Sequence, residues 1–358
     1  MFSEVPKVII PAILTFAVAI ILVPFFADFL YKNRLWKRRA RKDEVTTNPE
    51  DEINPDFKRI HNDAEQHTPR IGGVLIWGSV LITIGIFWII SQFVPENYRE
   101  IFDFMSRGQT ALPLFALIIA GMIGLVDDIL QIFGGSKVFG RSFADGINRY
   151  YRVLIVIAIA LVGALWFYFK LDISSIAIPL THARLEFGIF FIPFFVIVVL
   201  GSFSSSVIDG IDGLSGGVLA IIYGAFATIA YFYGLYDVAA LCAAIVGGIL
   251  AFLWFNVPPA RFYMGETGML GLTITLAIIS FITDSVLMLP IIAIPLVATS
   301  VSSLTQLASK RWFGKKVFRV APLHHHFEAI GWSRPKIVMR YWILSFIFAV
   351  IGIIIVLI

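Results

Sequence analysis

The sequence predicts an all-α integral membrane protein with about ten transmembrane helices in a single polytopic domain, residues 1–358. Hydrophobic residues fill 58% of the positions and charged residues only 15%, and the mean hydropathy is +0.86. A soluble domain of this length would expose more charge, so the composition excludes a soluble fold. Apolar runs of spanning length and an uneven distribution of Lys and Arg support the same class.

Ten apolar runs are long enough to cross a hydrocarbon layer. The fifth is short, so its ends are the least well defined. Between the fourth and fifth runs, Leu171–Phe187 alternates apolar and polar residues, which predicts a short hairpin. The ten runs are Val8–Phe29, Ile71–Val94, Ala111–Val126, Val153–Phe169, Gly188–Leu200, Leu214–Tyr233, Val238–Phe255, Met269–Thr283, Val286–Leu304 and Ile337–Ile358.

The Lys and Arg residues predict the orientation, because cytoplasmic loops carry an excess of both. Both termini are expected outside, which leaves five cytoplasmic loops holding most of the 28 Lys and Arg residues. The polar motifs of the chain then share the cytoplasmic face, which predicts an active-site cleft there. The five loops are residues 30–70, 127–152, 201–213, 256–268 and 305–340.

Asp127 and Asp128 are adjacent acids at the end of the third run. Charged residues are costly at the end of a membrane-length segment, and neighbouring carboxylates repel each other. A divalent cation held by hard oxygen ligands would resolve both problems. The pair therefore predicts a metal site where the membrane meets water.

Two glycine-rich segments add further acids. Asp209 and Asp212 are each followed by glycine, so the backbone there can turn irregularly and present amides to an anion or a base. Glu266 lies between two glycines just before the eighth run, where a carboxylate can reach a cation. The alternatives are helix caps for the aspartates and a dipole-favoured N-terminal acid for the glutamate, with Thr267 as a cap.

Three consecutive histidines, His324, His325 and His326, lie in the last polar segment among basic residues. Adjacent side chains cannot easily all reach one zinc ion without other ligands, so we favour contact with phosphate over a structural metal site.

In their order along the chain, these motifs resemble those of the polyprenyl-phosphate N-acetylhexosamine-1-phosphate transferases. The His-His-His-Phe-Glu run resembles one branch, the phospho-N-acetylmuramoyl-pentapeptide transferases. The resemblance covers nearly the whole chain. Its motifs are Asp127-Asp128, Asp209-Gly-Ile-Asp212-Gly-Leu, Phe255-Asn256 with Pro259-Ala260, Met264-Gly-Glu-Thr-Gly268 and Pro322-Leu-His-His-His-Phe-Glu328.

The resemblance implies a reaction in a bacterial inner membrane. Such enzymes move a phospho-sugar from a UDP-sugar, here UDP-N-acetylmuramoyl-pentapeptide, to undecaprenyl phosphate and release UMP, in the first membrane step of peptidoglycan synthesis. They require Mg²⁺. The expected partners are therefore this UDP-sugar, undecaprenyl phosphate and membrane lipid, with no nucleic acid; a homodimer stays open.

The resemblance also implies roles for single residues. Catalytic roles fall on Asp127, Asp128, His324 and His325, and magnesium ligation falls on Asp128 and Glu266. The substrate-binding positions are Asp209, Gly210, Ile211, Asp212, Asn256, Tyr263 and His326, and we add Arg70 for its positive charge.

Five positions depart from the family pattern. Glu65 and Gln131 stand where lysines are usual, Arg70 replaces a threonine, Ser206 an asparagine and Glu266 an aspartate. Two lost lysines weaken the expected diphosphate cradle, and Arg70 restores one charge. These changes keep two alternatives open: a transferase for another UDP-N-acetylhexosamine, and a catalytically degenerate binding relative. A transporter is disfavoured because the acids collect at one face rather than at mid-membrane.

Overall fold

The computed structural model describes residues 4–36, 68–95, 108–133, 146–181 and 183–358. Its elements are α1 (Val5–Lys32), α2 (Gly73–Phe93), α3 (Gly108–Phe133), α4 (Arg149–Leu165), β1 (Ser175–Ala177), β2 (Arg184–Glu186), α5 (Phe191–Ser204), α6 (Leu214–Phe232), α7 (Tyr236–Asn256), α8 (Gly265–Ile282), α9 (Leu289–Ile292), α10 (Ile294–Phe313), α11 (Leu323–Ala329) and α12 (Arg334–Leu357). A π-helical turn, Trp166–Lys170, continues α4, and 3₁₀ turns precede α5 and α9 and follow α5.

The predicted all-α membrane class is confirmed. Within the described ranges, nine helices are long and apolar enough to cross a membrane. The ninth predicted run is the exception, because it is broken into two pieces, Val286–Ile292 and Ile294–Phe313, that are bent by 82°. Pro295 explains the break: it has no N–H to donate to the preceding turn, and its ring would clash with that turn's carbonyl.

The predicted hairpin is also confirmed. β1 pairs with β2 in antiparallel fashion, with Ser175 opposite Glu186 and Ala177 opposite Arg184. Asp284, at the end of α8, accepts a hydrogen bond from the Ala177 amide (3.1 Å) and pairs with Arg184. The hairpin is thereby fixed to the helix bundle.

Helices α6, α7 and α8 form the centre of the bundle. In α8, 83% of the apolar 18-residue stretch is buried inside the protein, whereas the corresponding value is 22% in α1 and in α12. Since lipid tails are as apolar as leucine, the outer helices can leave large hydrophobic side chains exposed. Small residues on the inner helices let the backbones approach closely instead.

Several helix ends meet at one end of the bundle and carry the polar motifs. Helix α3 runs beyond the predicted Val126 to Phe133, so Asp127 and Asp128 lie within its last turns rather than in a loop. The start of α8 and the end of α7 contact the same region through Thr267 and Asn256. Which side of the membrane this end faces stays a prediction.

Candidate active site

Asp128 binds the N-terminus of α8. Its Oδ2 accepts hydrogen bonds from the Thr267 amide (2.8 Å) and hydroxyl (2.6 Å), and its Oδ1 accepts one from the Glu266 amide (3.3 Å). The side chain is only 1% exposed. The first amides of a helix have no partner within the helix and carry partial positive charge, so a carboxylate from α3 stabilises this end.

Two glycines make this approach of α3 to α8 feasible. A Cβ at Gly124 would collide with the backbone of Glu266, so only glycine lets the two helices come this close. Gly265 has φ +70, and a side chain there would meet the Arg70 carbonyl and the Asp128 carboxylate. The glycine before Glu266 therefore serves the turn that places this acid beside Asp128.

Arg152 joins two acids of the site. Its Nη2 lies 2.7 Å from Asp127 Oδ2, and its Nη1 lies 2.6 Å from Glu266 Oε1. Asp127 also accepts hydrogen bonds from the Ile147 amide (2.6 Å) and the Gln131 side chain (3.0 Å). One guanidinium thus neutralises a carboxylate of α3 and a carboxylate of α8, which its planar fork suits.

The donor atoms fit a divalent cation in kind, because all of them are carboxylate oxygens. Glu266 Oε2 is buried and has no hydrogen-bond partner among the described residues. Within those same residues, however, no three acidic, His or Cys side chains converge as a metal-binding group. Arg152 already lies between two of the acids. Glu266 is therefore the acid whose second carboxylate oxygen is available to coordinate a cation.

Asp209 approaches Glu266 from the loop before α6, and with Asp127, Asp128 and Glu266 it forms what we call the carboxylate cluster. Its Oδ1 accepts from the Ser215 hydroxyl (2.7 Å) and its Oδ2 from the Gly265 amide (3.1 Å). Burial raises the pKa of Asp209, which these hydrogen bonds and the charge of Arg70 partly offset. The charge of Arg70 also acts on Asp128 and Glu266, so Arg70 lies near three of the acids.

Asp212 and Asn256 clamp the two glycine-rich segments together. Asn256 accepts from the Gly213 amide (2.9 Å) and donates to the Phe262 carbonyl (2.9 Å), while Asp212 accepts from the Ala260 amide (3.0 Å). These bonds use the groups that the resemblance assigns to substrate binding. Both side chains therefore shape the loops at the site.

Tyr263 and the start of α2 are tied by backbone hydrogen bonds. The Tyr263 amide donates to the Pro69 carbonyl (2.7 Å), and the Gly72 amide donates to the Tyr263 carbonyl (2.8 Å). This pairing places Arg70 next to the turn that leads into α8. The partly buried Tyr263 ring thus lies on the same loop as Glu266.

The first two histidines face the loop that carries Asp209. A Cβ at Gly210 would lie 2.6 Å from His324 Nε2 and 2.9 Å from His325 Nε2. Both imidazoles are buried. His325 Nδ1 contacts Glu328 Oε2 (2.7 Å), and Arg334 Nε donates to Glu328 Oε1 (2.6 Å). Burial alone would raise the pKa of Glu328, but the bonds from His325 and Arg334 hold it below its usual range.

His326 and Ile211 lie beside this contact. His326 Nδ1 accepts from the Arg319 amide (3.2 Å), and its ring meets Phe318 edge-on. Ile211 is buried. Neither side chain contacts the carboxylate cluster in the described structure.

Sequence reasoning brought the acids together but missed Arg152 as their partner. The available signal was a cation in the first turn of a helix, four residues after the Asn148 cap, where the helix dipole disfavours positive charge.

The structure describes two of the residues that stand where the family has lysine or asparagine. Gln131 contacts Asp127 as a neutral donor, and Ser206 lies in the turn before Asp209, whereas Glu65 falls outside the described residues.

Comparisons with known proteins show which family the chain resembles. The model of glycosyl transferase family 4 matches residues 110–284. The chain is 31% identical over 341 residues to the phospho-N-acetylmuramoyl-pentapeptide-transferase of Anoxybacillus flavithermus, covering 95% of each chain. It is 32% identical over 349 residues to the Geobacillus thermodenitrificans enzyme of that name, covering 97% of each. The Shouchella clausii enzyme of that name is 33% identical over 348 residues, covering 95% of each.

Proposed function

The chain belongs to the phospho-N-acetylmuramoyl-pentapeptide transferase family, and on this premise we propose that it transfers phospho-N-acetylmuramoyl-pentapeptide from its UDP conjugate to undecaprenyl phosphate. UMP is released, and the product stays in the membrane. The reaction is the first membrane step of peptidoglycan synthesis, so we expect the protein in a bacterial inner membrane with its cleft open to the cytoplasm.

One observation carries the proposal: acids from distant parts of the chain meet two arginines at the N-terminus of α8. Asp127 and Glu266 contact Arg152 directly, and Arg70 acts on the other acids. Phosphoryl transfer needs little covalent chemistry from the protein and depends on positioning and charge stabilisation. A cluster with both signs of charge can hold a diphosphate and a phosphate nucleophile at one place.

The reaction forms one P–O bond and breaks another. An oxygen of undecaprenyl phosphate attacks the phosphorus that bears the sugar, and the bond from this phosphorus to the oxygen of UMP breaks. Arg70 and Arg152 donate hydrogen bonds to phosphate oxygens as charge moves onto the departing UMP. Asp127 orients the lipid phosphate or accepts its proton, and His324 and His325 contact the diphosphate from α11, which faces the loop of Gly210.

Magnesium fits the site by the chemistry of its donors. Glu266, with a buried oxygen that lacks a protein partner among the described residues, would hold the ion together with Asp128. Bound there, the ion would neutralise diphosphate charge and stabilise the charge that develops on UMP.

Asp128→Asn tests the site directly. The change preserves the shape of the side chain, but an NH₂ group replaces one of the two oxygens that accept hydrogen bonds from Glu266 and Thr267. This NH₂ group is a donor and cannot accept from the N–H or O–H group that it faces. We expect UMP release to fall by about a thousandfold or more. Because the same change weakens the cap of α8, the unfolding midpoint is measured alongside. Full turnover of a folded Asp128→Asn protein at saturating magnesium would refute the assignment.

His324→Ala tests the histidine contact, with Lys316→Ala as the matched control on an exposed residue of the same segment. The expected result is a large loss of UMP release for the histidine variant and a small one for the lysine variant. Zinc should not rescue the loss, because three adjacent histidines do not form a zinc site by themselves. Equal activities would remove His324 from the mechanism.

A further inference from the structure

Trp332, between α11 and α12, is part of an aromatic and cationic stack. Phe327 stacks on its ring with centroids 4.6 Å apart and an angle of 13°. The Arg340 guanidinium lies 4.1 Å from the centroid of the Trp332 ring, and the Lys336 ammonium lies 5.0 Å from it. Trp332, Lys336 and Arg340 are spaced four residues apart, so they follow one face of the chain as α12 begins.

The two cations share one aromatic ring. Each lies within about 5 Å of the same ring centroid, and both residues are exposed. No carboxylate of the described residues lies within ion-pair distance of either one. Two like charges that lie over one ring repel each other, and a bound anion would relieve this repulsion. A guanidinium held over an aromatic ring keeps N–H groups that can bind phosphate oxygens.

The position of Arg340 indicates a membrane surface. It lies six residues into α12, about 9 Å along the helix axis, yet its guanidinium returns to Trp332, which precedes the helix. A long basic side chain that reaches back from a spanning helix keeps its charge at the level of the lipid headgroups. Tryptophan is also typical of that level.

An exposed apolar stripe continues below the cations. Ile343, Leu344 and Ile347 lie three, four and seven residues after Arg340 and are 57%, 46% and 46% exposed. These spacings put them on the same face of α12 as Arg340. A ligand that binds both parts needs an anionic head and hydrocarbon chains.

We propose that Trp332, Lys336 and Arg340 form a binding site for the phosphate of an anionic phospholipid of the surrounding membrane, with its acyl chains along Ile343, Leu344 and Ile347. The site is separate from the carboxylate cluster, since no contact between described residues joins the three side chains to Asp127, Asp128 or Glu266. It is nevertheless linked to the histidines, because Phe327 belongs to α11 and the Trp332 amide donates to the Phe327 carbonyl (3.0 Å). A bound phospholipid therefore steadies the helix that carries His324 and His325.

The test uses the full chain in nanodiscs of phosphatidylcholine, with and without phosphatidylglycerol. The variant is K336Q/R340Q. The matched control is R311Q/K315Q, which removes the same charge from exposed residues at the end of α10, where no such ring stack occurs in the described structure. Native mass spectrometry measures the phosphatidylglycerol retained by each protein, and UMP release is measured in both lipid mixtures.

The expected loss of phosphatidylglycerol affinity is about fivefold for each cation removed, hence about 25-fold for K336Q/R340Q. The control should retain the lipid as the wild type does. K336Q/R340Q should match the wild type in phosphatidylcholine and lose the stimulation by phosphatidylglycerol. W332F, which keeps a ring under the cations, should bind the lipid nearly normally.

Three results would overturn the proposal. Equal lipid retention by K336Q/R340Q and the wild type would show that these cations hold no phospholipid. Equal losses in K336Q/R340Q and R311Q/K315Q would show a diffuse charge effect without a site. Displacement of the retained lipid by inorganic phosphate at equal concentration would show a soluble-anion site, because phosphate gains nothing from the apolar stripe.

Discussion

Removal of Arg152 should destabilise the protein more than removal of any exposed arginine. Arg152→Gln leaves Asp127 and Glu266 facing each other without the cation that lies 2.7 Å from one and 2.6 Å from the other. The side chains of Asp127, Arg152 and Glu266 are only 3%, 19% and 22% exposed. Breaking a buried pair from one side costs about 3–5 kcal/mol, and the partial exposure here favours the lower value of about 3 kcal/mol.

Unfolding of detergent-solubilised protein, measured in a chelator and again with magnesium, provides the assay. In the chelator, Arg152→Gln should lose about 3 kcal/mol of the free energy of unfolding, or roughly a hundredfold in the folding equilibrium. Magnesium should restore part of that loss, because the substitution frees two carboxylates for a cation. The free energy of unfolding of Arg152→Lys should lie between those of the wild type and Arg152→Gln, since an ammonium is a point charge and cannot bridge both acids as a planar guanidinium does.

Arg184→Gln is the matched control for Arg152→Gln. Arg184 also pairs with an acid, Asp284, but the two side chains are 45% and 35% exposed. Such a pair contributes at most about 1 kcal/mol. Equal stabilities of Arg152→Gln and the wild type in the chelator, or equal losses in the Arg152 and Arg184 variants, would refute the view that Arg152 holds the carboxylate cluster together.

Three further predictions follow from the site. Glu266→Asp should keep UMP release but change its magnesium requirement, whereas Glu266→Gln should abolish it; equal activity in all three proteins would leave only a helix-terminal acid. Glu328, which His325 contacts, has a lowered pKa and should therefore stabilise the folded state above pH 4.5, with this stability lost as the pH falls through the lowered pKa. The slope of the unfolding free energy against pH should be flatter in Glu328→Gln than in the wild type, and an unchanged slope would contradict this. A cysteine at the exposed Lys315, in a Cys242→Ala background, should react with an impermeant thiol reagent only when the cytoplasmic face is open, and labelling of intact cells from outside would overturn the orientation.

The helices and the positions of the site's acids along the chain could be predicted because both leave local signals in the sequence. Apolar runs reveal spans by length alone, and acids beside glycines at the ends of such runs are costly enough to be conspicuous. The break near Pro295 was less visible, since proline is tolerated in membrane helices and composition does not distinguish a bend from a straight span.

The partners of the acids could not be predicted. Arg152 and Glu266 are 114 residues apart, and Asp128 and Thr267 are 139 apart, so these contacts exist only because α3 packs against α8 and the side chain of Arg152 reaches Glu266 from the start of α4. The resemblance assigns Asn256 to the substrate, whereas its amide also binds two backbone groups of adjoining loops. A motif fixes which residues a site requires, and the packing decides which of them support the others.

The transfer reaction is tested by measuring both of its products. Purified protein is incubated with undecaprenyl phosphate, magnesium and a panel of UDP-sugars that includes UDP-N-acetylmuramoyl-pentapeptide and UDP-N-acetylglucosamine, and both UMP and the lipid product are quantified. We expect UMP and lipid-linked phospho-N-acetylmuramoyl-pentapeptide in equal amounts from the pentapeptide donor, with a chelator abolishing both. Transfer from another UDP-sugar alone would contradict the assigned donor, and nucleotide binding without UMP release from any donor would contradict catalysis.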